Sequence, residues 1–227
     1  MSPSGILPAN EAILKARFPV VYLRLSQATN RPPDSCFYEE IEKRFHLFIR
    51  RGEQTFPVYG QKNQQKLIER WFSSLALARE SLYAVTGFGD GSHLRKFLND
   101  TPPGTTLMAT EKDPDLLRET FARFDCSDLL AHDRFLLGVG EPDDDFFKDV
   151  EGVALTGVQA VDRVVFSPLF SLDEGYYDRV RNELVRQYLV IRPLVEVNVR
   201  TAVNIQENTF ENLRNLANAP DVGELAD

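Results

Sequence analysis

Apolar positions change period several times along the chain, and each change predicts a different element. Ala12, Ile13, Ala16, Phe18, Val21 and Leu25 recur at helical spacing with Pro19 between them, which predicts short helices over residues 10–25 that dock one apolar face. Residues 26–37, carrying Asn30, Pro32, Pro33 and Asp34, read as a loop. The period then falls to two. Phe45, Leu47 and Ile49 alternate with their neighbours, and after the Arg51-Gly52-Glu53 turn Thr55–Tyr59 reads as a return strand, so residues 38–60 predict a small β hairpin appendage. Leu67, Trp71, Leu75 and Ala78 restore spacings of three and four and predict an amphipathic helix over residues 62–80, with Trp71 packing inward.

Four short apolar runs follow, at Leu82–Val85, Thr106–Thr110, Phe135–Val139 and Val164–Phe166, alternating with helical segments. Buried runs separated by helices predict parallel strands joined by right-handed crossovers, hence a Rossmann-like α/β sheet. Asp113 followed by Pro114 marks a helix start, with Leu116, Leu117 and Phe121 on one side. The acidic stretch Glu141–Glu151 lacks the spacing of a calcium loop and reads as a helix turn carrying Phe146, Phe147 and Val150 inward. From Tyr176 onward Tyr177, Val180, Leu184, Tyr188, Ile191, Val195, Val199 and Ala202 predict a long helix kinked at Pro193. A period of two in Val195, Val197 and Val199 competes for a strand over 194–203. The chain thus divides into an N-terminal helical and hairpin appendage (1–61), a Rossmann-like core (62–172) and a C-terminal helical extension (173–227).

Composition narrows the function classes. A formal net charge of -8 over 227 residues argues against a general binder of nucleic acid or anionic membrane, which needs clustered Lys and Arg. Cys36 and Cys126 are far apart with no CxxC spacing, which predicts neither a disulfide scaffold nor a zinc site. No apolar run is long enough to cross a bilayer, and residues 1–16 lack a leader pattern, so a cytoplasmic protein without a membrane span is expected.

Candidate chemistry concentrates at the end of the first predicted core strand. Gly87, Gly89 and Gly91 follow Leu82–Thr86 and open a helix, where missing Cβ atoms permit close approach and free amides can face an anion. The spacing fits G-x-G-x-G, like the first motif of Rossmann-like methyltransferases, and not G-x-G-x-x-G, because Ser92 holds the last position. Val85 stands where those enzymes usually carry an acid. Three glycines in a strand-to-helix turn also serve simple tight packing. Asp90 could hold a ligand hydroxyl or simply solvate the loop. His93, at the helix start, is the best-placed titratable group, either against a bound anion or as a packed side chain. Glu111, at the end of the second core strand, occupies the place where such folds accept hydrogen bonds from a ribose, and capping is its other reading. S-adenosylmethionine and a nucleotide sugar are the cofactor classes this geometry raises. No nucleophile elbow, P-loop or metalloprotease helix occurs, so no catalytic set is assembled.

Three passages together resemble the N-terminal region of bacterial motility-associated glycosyltransferase-like proteins, a family also described as 6-hydroxymethylpterin diphosphokinase-like. Val85–Leu94 is similar to that family's Gly-Phe-Gly-Leu-Gly-Tyr-His-Leu turn, with the three glycines and His93 matching and Ser92 in place of tyrosine. Pro57–Gln61 and Leu67–Trp71 resemble the segment before the turn, without the family's His-Ser pair, and Glu207–Leu225 resembles the helix and linker leading into the central domain. The resemblance implies an N-terminal domain that precedes a sugar-transfer domain opening on Gly-Pro-Ser-Leu, a motif not reached by Asp227. It implies a non-catalytic role, positioning a downstream glycosyltransferase-like domain or an acceptor protein, in transfer of nonulosonic acids to flagellin or in surface-glycan assembly.

Overall fold

A computed structural model of the chain describes residues 5–29, 35–60, 63–78, 80–143, 145–147, 158 and 160–217; within the last helix the side chains of 191–199 and 215–217 are not described. Its centre is a four-stranded, wholly parallel sheet of β4 (Ser81–Thr86), β5 (Thr106–Glu111), β6 (Phe135–Val139) and β7 (Ala160–Val164), in the order β6-β5-β4-β7. Every residue of β4 and β6 is buried, which explains why these strands read as continuous apolar runs and show no alternation. Val164, Val85, Ala109 and Leu137 align in one row across the sheet, all buried. The fourth strand lies earlier than its sequence signal: Val164 ends it, and Val165 and Phe166 leave the sheet. The α/β class and Rossmann-like arrangement follow from this order, in which β5 and β6 lie on one side of β4 and β7 on the other. Such a reversal places the topological switch point at the carboxyl end of β4.

The helices that cover the sheet begin where the sequence places them. α1 (Pro8–Arg17) and α2 (Pro19–Gln27) are separated at Phe18, and each carries Pro in its first turn, where the missing N–H has no intrahelical role. α3 (Gln64–Ser73) is shorter than its apolar pattern, so Leu75 and Ala78 lie beyond it. α4 (Ser92–Asp100) follows the glycine turn. α5 (Pro114–Arg123) starts on Asp113, whose Oδ1 accepts from Asp115 N–H at 2.8 Å and Leu116 N–H at 3.1 Å, as the capping signal predicts. Short α6 (Ser127–Leu130) precedes β6. One core joins Leu14, Phe18 and Leu25 of the first two helices to Leu94, Phe97, Leu117 and Phe121 and to the sheet residues Tyr83, Val85, Leu107, Ala109, Phe135 and Leu137. Buried Asn10 fastens this layer: its Nδ2 donates to the carbonyls of Phe121 (3.0 Å) and Phe124 (2.7 Å), and its Oδ1 accepts from Cys126 N–H (2.8 Å). By the alternation of strands, Leu82, Ala84, Met108 and Leu136 are buried on the opposite face. Phe146 lies there, in the space left by the missing side chain of Gly138. Phe146 and Phe147 are inward as expected, on turns in place of a helix; Val150 lies outside the described residues.

The predicted hairpin is a three-stranded antiparallel meander of β1 (Cys36–Ile41), β2 (Arg44–Arg51) and β3 (Gln54–Pro57). The sequence reading missed β1 because its first two residues follow a proline-rich loop signal and its end, Glu39-Glu40, is exposed. Cys36, Tyr38, Leu47, Ile49, Val58 and Tyr59 share a second core with Ile68, Leu116, Phe166 and Leu169, so the meander is built onto the carboxyl end of the sheet. Residues 1–187 form one compact unit and residues 188–227 a second; the sequence boundaries at 61/62 and 172/173 fall inside the first. After a single-turn α7 (Ser167–Phe170), α8 (Glu174–Ala217) continues past Pro193 and through 194–203, so helix prevails over strand there. In the first unit, Tyr176, Tyr177, Val180 and Leu184 of this helix are buried.

Candidate functional site

The glycine turn joins β4 to α4 at the switch point, as its spacing predicts, and the surrounding side chains occupy the space above it. Gly87, Gly89 and Gly91 have φ of +74°, +57° and +81°, a region L side chains rarely enter. A Cβ at Gly87 would lie 2.5 Å from Leu169 Cδ1, and one at Gly89 would overlap the Tyr59 hydroxyl and reach its Cζ at 3.0 Å. The glycines therefore admit Tyr59 and Leu169 of the same chain, in the place where a nucleotide would approach the backbone.

The turn's amides, read from sequence as bare donors facing a cleft, are largely met from within. Gly87 N–H donates to the Thr110 carbonyl (2.9 Å), Phe88 N–H to Glu111 Oε2 (3.2 Å), Asp90 N–H to the Tyr59 hydroxyl (3.1 Å), Gly91 N–H to the Phe88 carbonyl (3.1 Å) and Ser92 N–H to Asp90 Oδ1 (2.9 Å). On the acceptor side, the Tyr38 hydroxyl donates to the Gly89 carbonyl at 2.9 Å and lies 2.8 Å from Thr120 Oγ1. Gln64 of α3 donates to Asp90 Oδ2 (2.8 Å) and Ser92 Oγ (3.0 Å), so Asp90 acts as a cap for the loop.

His93 is wholly buried and its two nitrogens are assigned by their partners. Nε2 lies 3.2 Å from the Gly87 carbonyl, which can only accept, so Nε2 carries the proton; Nδ1 then accepts from the Tyr59 hydroxyl at 2.9 Å. The result is a one-way chain in which Asp90 N–H donates to Tyr59, Tyr59 to His93 and His93 to Gly87. Burial pushes the imidazole down to about 3. The ring stacks on Phe166 (centroids 4.3 Å, interplanar 17°) and meets Trp71 edge-on at 5.6 Å, while Trp71 Nε1 donates to the Val165 carbonyl at 2.8 Å. A neutral, fully bonded imidazole in an aromatic box packs the turn and offers no charge to an anion.

Glu111 stands at the end of β5, with Oε1 accepting from Asp113 N–H and Oε2 from Phe88 N–H, each at 3.2 Å. Its carboxylate thus takes the amide that the sequence offered to a ligand. It is buried, and desolvation outweighs these hydrogen bonds, raising it to about 7. It borders a cavity of about 220 Å³ with Ser35, Cys36, Leu172 and Tyr177, where Lys112 pairs with Asp173. A wider groove of about 430 Å³ runs along α3 and α4, lined by Gln64, Ile68, Glu69, Ser92, Arg95 and Lys96; Arg95 pairs with Asp128 at 2.7 Å and Lys96 with Asp100 at 2.6 Å.

Gly87, Gly89, Asp90, Gly91, His93 and Glu111 are therefore brought together, each with an internal partner. The residues that close the site were missed in sequence: Tyr38 fell in the missed strand, Tyr59 read as a strand end, Phe166 as a strand residue and Leu169 carried no signal. Among the described residues, no group of three or more His, Cys, Asp and Glu side chains could hold a metal ion, and no helix is long and apolar enough to cross a membrane. Compared with known proteins, the chain matches no family model, no curated protein and no solved structure.

Proposed function

We propose that this chain is a non-catalytic Rossmann-like module that works by positioning a partner, with its nucleotide-type cleft filled by its own side chains. The observation that carries this reading is the pair Tyr59 and Leu169 lying over Gly89 and Gly87, where a ligand would need the backbone. S-adenosylmethionine and nucleotide sugars do not fit at the turn as it stands, because Glu111 and Tyr59 already hold the Phe88 and Asp90 amides. The resemblance of Val85–Leu94 and Glu207–Leu225 to motility-associated glycosyltransferase-like proteins supplies the partner class: a sugar-transfer domain or its acceptor protein, in the cytoplasm. The two buried, unpaired thiols accord with a reducing compartment.

Calorimetric titration with S-adenosylmethionine, S-adenosylhomocysteine and a panel of CMP and UDP sugars tests this reading. No saturable heat is expected from any of them. Saturable binding that protects the turn amides from hydrogen exchange would overturn it, since the ligand would then have displaced Tyr59.

A further inference from the structure

The cavity of about 220 Å³ beside Glu111 is walled by Cys36 of β1, by Glu111 and Asp113 between β5 and α5, and by Tyr177 of α8. Tyr177 is only 4% exposed, and its hydroxyl makes no hydrogen bond among the described residues. Burial holds that hydroxyl well above the usual tyrosine range, and Glu111, Tyr176, Cys36 and Asp173 push it further. Three of those four line the cavity, so the oxygen faces its interior. A buried hydroxyl calls for a partner, and the fold supplies none. Asp113 is half used in the same way: Oδ1 caps α5, and Oδ2 accepts no hydrogen bond among the described residues.

The charge of the walls gives the chemistry of that partner. Burial first, and then Glu111, Asp113 and Glu119, push the Cys36 thiol up, so every charge acting on it is a carboxyl group. Lys112 is the cation of the lining, one against the three acids Glu111, Asp113 and Asp173, and it pairs with Asp173 at the mouth, where the two side chains are 45% and 32% exposed. The interior thus keeps an excess of negative charge, which burial makes costly until a cation meets it. A metal ion finds no group of three or more ligating side chains among the described residues. An ammonium or guanidinium brings several N–H donors to the Glu111, Asp113 and Tyr177 oxygens, while Leu116 and Leu172 give an apolar stem a wall. The space is that of roughly seven water molecules and is below the roughly 300–1,000 Å³ of larger ligand sites. We propose that this cavity binds a small free aliphatic cation, an alkylammonium or alkylguanidinium of fewer than about ten heavy atoms, held by Glu111, Asp113 and Tyr177. A free ligand lets the Lys112–Asp173 pair close behind it, whereas a side chain still attached to a partner protein would hold the pair open.

NMR titration of the isotope-labelled full chain with n-butylammonium and n-butylguanidinium is the test, with n-butanol and butyrate as neutral and anionic controls. Both cations are expected to bind with a Kd of about 1 mM or below and to move the amides of Cys36, Asp113 and Tyr177 together, and neither control is expected to move them. Tyr177→Phe keeps the ring and deletes only the unbonded hydroxyl, so the fold should be untouched and binding about 5-fold weaker. Glu111→Gln is expected to weaken binding about 10-fold or more, and the amide spectrum of each variant reports that its fold is kept. Cavity amides that stay still up to tens of millimolar of either cation overturn the inference. So does n-butanol binding as tightly as n-butylammonium, or binding indifferent to both substitutions. A lysine-containing peptide that binds more tightly than n-butylammonium overturns the free ligand as occupant.

Discussion

The glycine turn and the 200–214 helix are opposite solutions to the same problem of apolar surface. Around the turn, Tyr59, His93, Phe166 and Leu169 are buried and their polar atoms are paired along a single donor chain. On the helix, Val203, Phe210 and Leu213 are open to solvent. The difference predicts where substitutions act: at the turn they change folding stability, and on the helix they leave it nearly unchanged.

The largest effect concerns His93. Its pKa falls from 6.5 in the unfolded chain to about 3 in the folded one, so its contribution is fully present above pH 6.5 and is lost as pH falls toward 3. The whole span corresponds to roughly 5 kcal/mol, at about 1.4 kcal/mol per tenfold change. Glu111 opposes it. Its pKa rises from 4.5 to about 7, so the folded state holds the proton more tightly and stability falls as pH rises from 4.5 to 7. From these two groups alone, denaturant midpoints are expected to be level between about pH 4.5 and 6.5 and to drop steeply below that window. A His93 imidazole that titrates near 6.5 by NMR in the folded protein contradicts this.

Gly89→Ala ranks next. It places a Cβ at φ +57°, onto the Tyr59 hydroxyl, so the tyrosine must move and release both Asp90 N–H and His93 Nδ1. Backbone strain of about 1 kcal/mol plus two disturbed buried hydrogen bonds gives an expected loss of about 3–4 kcal/mol, read from urea midpoints. A variant within about 0.5 kcal/mol of the wild type would mean that the tyrosine is a loose lid over an open site.

The contrast also explains what the sequence could reveal. The sheet was legible because β4, β5 and β6 are buried on both faces and read as plain apolar runs, and the turn was legible because glycines at positive φ are unavoidable there. The occupant of the turn was not legible, since admitting a phosphate and admitting a tyrosine ring make the same demand for a missing Cβ. Tyr38 and Tyr59 reach the turn from 51 and 31 residues away in the bonds they make to Gly89 and Asp90. Local spacing carries no trace of such contacts. His93 was found by its place at a helix start, yet its neutral state depends on Phe166 and Trp71, which arrive from other elements.

Glu111→Gln sharpens the comparison from the carboxylate side, and its sign depends on pH. The amide keeps one acceptor for either Phe88 N–H or Asp113 N–H and turns a donor toward the other, costing about 1 kcal/mol where the native group is already neutral. Above pH 7 the native carboxylate carries a burial penalty of roughly 3 kcal/mol, which glutamine avoids. The variant is therefore expected to be less stable than the wild type near pH 4.5 and about 2 kcal/mol more stable near pH 8. Removing Glu111 also uncovers the His93 slope over its full range below pH 6.5. Parallel pH profiles for the two proteins would show that Glu111 stays ionised in the fold without cost.

The smallest expected effect is on the helix, and it is the control that gives the others meaning. Phe210→Ser removes an aromatic ring that is 72% exposed, so little apolar area returns to water when the monomer unfolds. Its urea midpoint is expected to match the wild type within about 0.5 kcal/mol. A large loss would place Phe210 in an intramolecular contact and remove the distinction between the two regions.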